Sequence, residues 1–216
     1  MLKTTDFIRE FPVKMKTDRD CELVLFLEFL RSHPVESLLD IGAHYSVYNN
    51  YAQEVRALVK RYDGIDIIDD PEVKQVLDNF YVGNAITYPL KQYDMVACIS
   101  TIEHSGVSTY KVDDIQKEQE RLFMRCLELT NKYMWISFPT GLPYVYPNEL
   151  SIITEKQLKR WEILTSNFKV KERFFYSQGP QAGHPWYEHN KREFATIVPY
   201  VDYVGNCSIA VLEIEK

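Results

Sequence analysis

The chain has 216 residues, of which 45% are hydrophobic, 26% charged and 13% aromatic, which is globular usage and excludes a disordered or low-complexity protein. Its length fits one domain, residues 1–216, with residues 1–33 as a helical extension in front. The net charge of −6 argues against nucleic acid as a partner, because affinity for phosphate backbones comes mainly from Lys and Arg, and a small-molecule substrate is expected instead.

Residues 1–16 show little periodicity. Thr17 and Asp18 offer a cap for a helix through Leu23, Phe26, Leu27 and Leu30 to about Arg31, stopped by Pro34. Residues 37–42 form an apolar run ending in Gly42, the form of a buried strand entering a turn. Val47, Tyr51, Val55, Leu58 and Val59 then share a helical face, and that helix is expected from Ser46 to near Tyr62. A second strand is expected over 64–68. Asp70 is placed to cap and Pro71 to open a helix over 72–79. Strands are expected at 80–82 and 93–100, followed by a polar loop over 103–111 and a long helix over 114–131. Within that helix the 117–120 run reads as a solvated face. Residues 133–138 form another buried strand. Thr154 and Gln157 have capping-box spacing ahead of a helix through Leu158, Trp161 and Leu164. Residues 168–176 and 208–214 alternate as strands do. Strands alternating with helices at this spacing indicate a parallel α/β sheet.

Cys21, Cys98, Cys126 and Cys207 form no CxxC pair, so they are expected as reduced core residues, with no metal site and no disulfide framework. The spacing of His184 and His189 suits no common metal motif. The apolar run over 21–30 is too short to span a bilayer and is broken by Glu22 and Glu28. No leader is recognised, so a cytoplasmic address without membrane insertion is expected. The sequence leaves the oligomeric state open.

Parallel sheets bind ligands beyond the carboxyl ends of their strands, where the strand order reverses. The first such end carries Asp40, Gly42, Ala43, His44 and Ser46, a tight turn feeding a helix N-terminus. Gly42 lets backbone approach a ligand, and free N–H groups of the helix favour an anion. Asp66 follows Asp40 at close to the roughly 20-residue spacing at which an acid meets a ribose hydroxyl. For Asp40 the plain alternative to a ligand contact is a strand-end acid that caps local N–H groups.

Residues 38–42, 64–66, 82–85 and 93–104 together resemble the ordered motifs of class I S-adenosylmethionine-dependent methyltransferases, over about residues 35–140. The stretches 102–110 and 210–216 are similar to bacterial methyltransferases associated with surface-sugar biosynthesis. The resemblance implies a Rossmann-like, seven-stranded, mostly parallel sheet with a C-terminal antiparallel hairpin, and S-adenosylmethionine as cofactor. It implies that Asp40 and Gly42 line the methionine end of the donor, Asp66 and Ile67 its ribose, and Asn84 with Ala85 the adenine edge. His44 and Ser100 complete the expected cofactor-binding set. His44 stands where the family usually has a small residue. Its side chain is expected to turn to solvent, to touch the donor or to block the pocket.

His104 is the candidate general base, because imidazole titrates near neutral pH, with Glu103 as orienter or alternative base. A structural histidine closing the turn is the plainer reading. Tyr110, Thr140, Trp186 and Tyr187 are the expected acceptor-binding residues, with His184, His189 and Arg192 in the same aromatic segment. Folding of that segment over the core is the plainer alternative there too. Three functions compete: a methyltransferase acting on a small acceptor such as a sugar or glycoconjugate hydroxyl or amine, an inactive methyltransferase-like binding module, and a nicotinamide oxidoreductase. The last is weakened because the turn lacks the second and third glycines of the dinucleotide fingerprint.

Overall fold

The computed structural model describes residues 7–10, 18–44, 51–107, 112–146, 150–177, 186–189, 192 and 207–216. In chain order the elements are β1 (Phe7–Glu10), α1 (Asp18–Ser32), β2 (Ser37–Ile41), α2 (Tyr51–Arg56), β3 (Arg61–Asp66), α3 (Pro71–Val76), β4 (Asn79–Val82), β5 (Tyr93–Ile99), a 3-10 turn (Ile102–His104), α4 (Val112–Leu129), β6 (Thr130–Pro139), β7 (Val145–Tyr146), β8 (Leu150–Ser151), α5 (Glu155–Leu164), β9 (Lys169–Ser177), β10 (Trp186–His189) and β11 (Cys207–Glu215). The main sheet has nine strands in the order β1-β10-β9-β11-β6-β5-β2-β3-β4, and β7 pairs with β8 apart from it. Strands β2 to β6 run parallel to one another. Strand β11 runs antiparallel between β6 and β9, which is the expected C-terminal hairpin. The run from β4 to β9 supplies the seven expected strands. Strands β10 and β1 extend that edge by two more, both antiparallel.

The central strands are buried on both faces, which is why they read as continuous apolar runs. Along β5, Met95, Ala97 and Ile99 join the core under α1 and α2, while Val96 and Cys98 join the core under α4 and α5. On the first face Phe26 of α1 meets Trp135 edge-on at 5.3 Å between ring centroids. On the second, Trp161 of α5 stacks on Phe123 of α4 at 4.5 Å and receives Phe138 edge-on. The backbone N–H of Thr154 donates to Gln157 Oε1 at 3.1 Å, so the anticipated capping box starts α5. Asp70 likewise accepts from the N–H of Glu72 at 2.8 Å, opening α3 at Pro71. Cys21, Cys98 and Cys126 are buried free thiols. Among the described residues no helix is long and apolar enough to cross a membrane, and no three His, Cys, Asp or Glu side chains cluster as a metal site would need.

Three expectations change. The helix expected up to Tyr62 ends at Arg56, and strand β3 starts at Arg61, because Tyr62 is wholly buried with its N–H on Asp78 and its hydroxyl on Asp40. The N-terminal residues read as lacking periodicity include β1, whose partner is β10. The solvated face expected over 117–120 is only partly so: Glu118 and Gln119 are buried, since they share the inward face of α4 with Ile115 and Leu122 at helical spacing. Gln119 accepts from Gln157 Nε2 at 2.7 Å, joining α4 to α5.

At the opposite end of the sheet from the carboxyl termini of its parallel strands, Asp63 has a fully buried side chain. It accepts from Arg61 Nη2 at 2.6 Å, Tyr93 hydroxyl at 2.6 Å and Asn79 Nδ2 at 3.0 Å. Burial works against its charge, but the bonds from Arg61, Asn79 and Tyr93 outweigh it and hold the carboxyl below its ordinary range.

Candidate functional site

The strand order reverses between β2 and β5, which are neighbours although β3 and β4 separate them in the chain. A crevice of about 270 Å³ opens beyond their carboxyl ends. Its walls are Gly42, Asp66, Ile67, Gly83, Asn84, Thr101, His104, Ser105, Gly106 and Glu118. Four segments that sequence reasoning singled out separately, after β2, β3, β4 and β5, are thus brought to one place.

Gly42 follows β2 with φ +81°, a left-handed conformation that costs an L residue about 1–2 kcal/mol. A Cβ built there would lie 2.0 Å from Thr101 Oγ1, so the β2 turn and the β5 end are in contact only because this residue has no side chain. The carboxylate of Asp66 is held from both sides: Oδ2 accepts from the N–H of His44 at 3.1 Å and Oδ1 from the N–H of Ile68 at 3.0 Å. Asn84 Oδ1 accepts from the N–H of Ile86 at 2.9 Å, fixing the amide in the turn after β4. Ala85 next to it is buried in the α4–α5 core.

His44 turns its ring away from the methionine end anticipated for it. Its Nδ1 lies 3.1 Å from Asp70 Oδ2 at the start of α3, and the residue contributes backbone rather than side chain to the turn. Asp40 does not line the crevice. It is 4% exposed and accepts from the Tyr62 hydroxyl at 2.8 Å. Burial pushes it up to about 7, against the Tyr62 bond and the nearby Arg19 charge that pull it back.

Ser100, just past β5, has φ 39°, rare for a residue with a side chain. This turn points its hydroxyl at α1 instead of the crevice, where it donates to Glu22 Oε1 at 2.5 Å. Arg19, one turn earlier on α1, donates through Nη1 to the carbonyl of Ile99 at 2.7 Å. Glu103 is 2% exposed, and burial pushes its carboxyl up to about 8. His104 follows it on the crevice wall with its side chain 49% exposed, Nε2 standing 3.8 Å from Glu103 Oε1.

The anticipated acceptor residues scatter. Thr140 is buried, with Oγ1 on the carbonyl of Ile153 at 2.9 Å, and ties the end of β6 to the segment before α5. Trp186 is wholly buried and Tyr187 half-buried, both on β10, whose backbone pairs with β9. Pairing with the open edge of β9 makes this segment a strand of the sheet in place of the loop wall expected. Arg192 pairs with Glu162 at 2.9 Å, and His189 is buried beside Phe174. Tyr110 and His184 lie outside the described residues. Sequence reasoning missed Thr101 and Glu118 as wall residues. Thr101 had a signal, its place directly after β5. Glu118 had one in its helical spacing from Ile115 and Leu122.

No family model matches the chain, and no curated protein matches it. Solved structures do share its fold at low identity. The YcgJ protein from Bacillus subtilis has a TM-score of 0.57 at 14% identity, over 90% of this chain and 97% of that one. A candidate RNA methyltransferase from Pyrococcus horikoshii has a TM-score of 0.53 at 12% identity, over 91% and 80%. A candidate sarcosine dimethylglycine methyltransferase from Galdieria sulphuraria has a TM-score of 0.52 at 14% identity, over 89% and 86%. The chain therefore has the Rossmann-like fold found among class I methyltransferases.

Proposed function

We propose that the chain is an S-adenosylmethionine-dependent methyltransferase acting on a small-molecule acceptor with a hydroxyl or amine; a sugar or glycoconjugate is the class its sequence resemblance implies. The observation that carries the proposal is the crevice at the switch point, where Gly42, Asp66, Asn84 and His104 share one set of walls.

The residues present fit the donor. Gly42 brings main chain into the crevice wall against Thr101, an approach that any Cβ would block. Each Asp66 oxygen accepts one backbone N–H and keeps a lone pair for a ribose hydroxyl. Asn84 uses Oδ1 locally, leaving its amide donors for a purine nitrogen. The ring of His44, paired with Asp70, does not crowd this space, which supports an active site over an inert binding module. When bound, the donor supplies a methyl group on a positively charged sulfur.

The chain's own residues align the acceptor and remove its proton. Placement of two reactants in line accounts for much of the acceleration in such displacements. His104, half exposed on the wall, takes the proton from the attacking group and passes it to solvent. Glu103 lies behind the ring and orients it.

Titration calorimetry with S-adenosylhomocysteine, with NAD as control, tests the proposal. Saturable binding of the first alone is expected. Absence of binding at millimolar ligand, or preference for NAD, overturns it.

A further inference from the structure

Glu118 of α4 lines the crevice but takes no part in the donor contacts described above. The residue is buried, 9% exposed. Arg121, one turn further along α4, donates through Nη1 to Glu118 Oε2 at 2.7 Å, which fixes the direction of the carboxylate. Among the described residues Arg121 is its only hydrogen-bond partner, so Oε1 is left to the crevice. Gln119, next in the chain, donates to the carbonyl of Glu103 at 3.4 Å and holds this part of α4 against the 3-10 turn that carries His104.

Helical spacing aims Glu118 at the turn after β4. Residues seven apart share a helix face, two turns or roughly 10 Å apart along the axis. Arg125, seven residues on from Glu118, donates through Nη2 to the carbonyl of Tyr88 at 3.1 Å. Tyr88 belongs to the same turn as Asn84, whose carbonyl accepts from the N–H of Tyr88 at 2.9 Å. Leu122, one turn on from Glu118, packs in one core with Ala85 and Ile86. This face of α4 therefore runs along the turn after β4, with Glu118 at its crevice end. Adenine presents a ring-nitrogen acceptor beside an exocyclic amine that donates. Asn84 has Oδ1 on the N–H of Ile86 at 2.9 Å and offers only donors, which suit the ring nitrogen and not the amine. The amine needs an acceptor, and an ionised carboxylate does nothing but accept.

We propose that Glu118 is the residue that selects the donor's base: its Oε1 accepts from the exocyclic amine of adenine, while the Asn84 amide donates to a ring nitrogen. This rests on the methyltransferase reading above and deepens it. Recognition of the base is then divided between α4 and the turn after β4, and Asp66 is left to the ribose. Hypoxanthine carries a carbonyl where adenine carries the amine, and would set one acceptor against another at Glu118. A site built to hydrogen-bond a group rejects the analogue lacking it, because its own polar atoms are then left unpaired.

The test is calorimetric titration of the full chain with S-adenosylhomocysteine, with S-inosylhomocysteine, and with the analogue bearing hydrogen in place of the adenine amine. The wild-type chain is expected to bind the adenosyl compound about tenfold or more tightly than either analogue. Glu118→Gln is isosteric, and its amide can turn to donate as well as accept. It is expected to bind the inosyl compound more tightly than wild type does and to shrink the preference to about threefold or less. Glu118→Ala should shrink it as well, by weakening the adenosyl compound. A purely structural role would weaken all three ligands together and leave their ratios unchanged. Melting temperatures measured alongside establish that both variants fold. Equal binding of the adenosyl and inosyl compounds by the wild-type chain, or a preference that both variants retain, overturns the proposal and leaves donor binding standing. Binding of none of the three overturns the methyltransferase reading, and this inference with it.

Discussion

Replacing Glu103 with Gln should make the protein more stable, and increasingly so as pH rises. Burial is the largest influence on this carboxyl and lifts it from an ordinary 4.5 to about 8. A carboxyl raised in the folded state contributes stability that is fully present below its unfolded value and is lost as pH rises through its folded one. Each pH unit between the two is worth about 1.4 kcal/mol. The charge therefore costs the folded chain less than about 1 kcal/mol at pH 5, about 3 kcal/mol at pH 7, and at most about 5 kcal/mol at pH 9. Gln has the same shape and no charge, so the variant escapes this cost. For a chain of this length 1 kcal/mol corresponds to roughly 2–4 °C in melting temperature. The variant should melt close to wild type at pH 5 and roughly 6–12 °C above it at pH 7. Differential scanning calorimetry of both proteins from pH 5 to 9 reads this directly. A difference that stays constant across the range would refute the reasoning, because it would mean that Glu103 binds its proton equally well in the folded and unfolded chain and is not raised at all.

Asp63→Ala should destabilise by about 3 kcal/mol or more, since it strips Arg61 and Tyr93 of a fully buried partner; urea denaturation measures this, and S-adenosylhomocysteine affinity should not change, because the network lies at the opposite end of the sheet. Because the Asp63 carboxyl is held low in the fold, its contribution is present above the ordinary carboxylate range and is lost as pH falls through its depressed value. Gly42→Ala should weaken S-adenosylhomocysteine binding tenfold or more through the positive φ and the Thr101 contact, and Thr101→Ala in the same chain should restore part of it; equal loss in single and double variants would show the contact to be irrelevant. His104→Ala should lower turnover by about 10²-fold or more with donor affinity unchanged, and undiminished turnover on a methylated acceptor would remove it as the base.

Local periodicity made most of the strands and helices legible in the sequence. The 37–42 run, the 93–100 run and the Thr154 capping box each specify their element within a few residues, because burial on both faces or reciprocal capping leaves one solution. The positions after the strands were also legible, since a parallel sheet brings strand ends together whatever its side chains. Less legible was which way each side chain turns there. Asp40 reads as a ligand contact, yet its carboxylate bonds Tyr62, a residue the helical pattern of its neighbours hid inside a strand. Strand β10 was hidden for a different reason. Trp186 to His189 form a strand because the edge of β9 is open to them, and no property of those four residues alone says so. Glu22 carried a signal that went unread: it lies in an apolar helical run between Cys21 and Leu23, both buried, where a charged residue is out of place unless something else requires it.

Stability and chemistry pull against each other at these acids. Glu22, Asp40 and Glu103 are each raised by burial, to about 7, 7 and 8, and together they make the fold weakest where the carboxyls are charged. A scaffold selected for stability alone would replace them with neutral residues of similar volume, as buried ion pairs generally tolerate. Asp40 has a local justification in the Tyr62 bond, whereas the outer oxygens of Glu22 and Glu103 have none. The strained turn at Ser100 has the same origin, because its left-handed backbone is what turns the hydroxyl toward Glu22. Strain and uncompensated charge side by side at a strand terminus, next to a crevice, are features that binding sites concentrate.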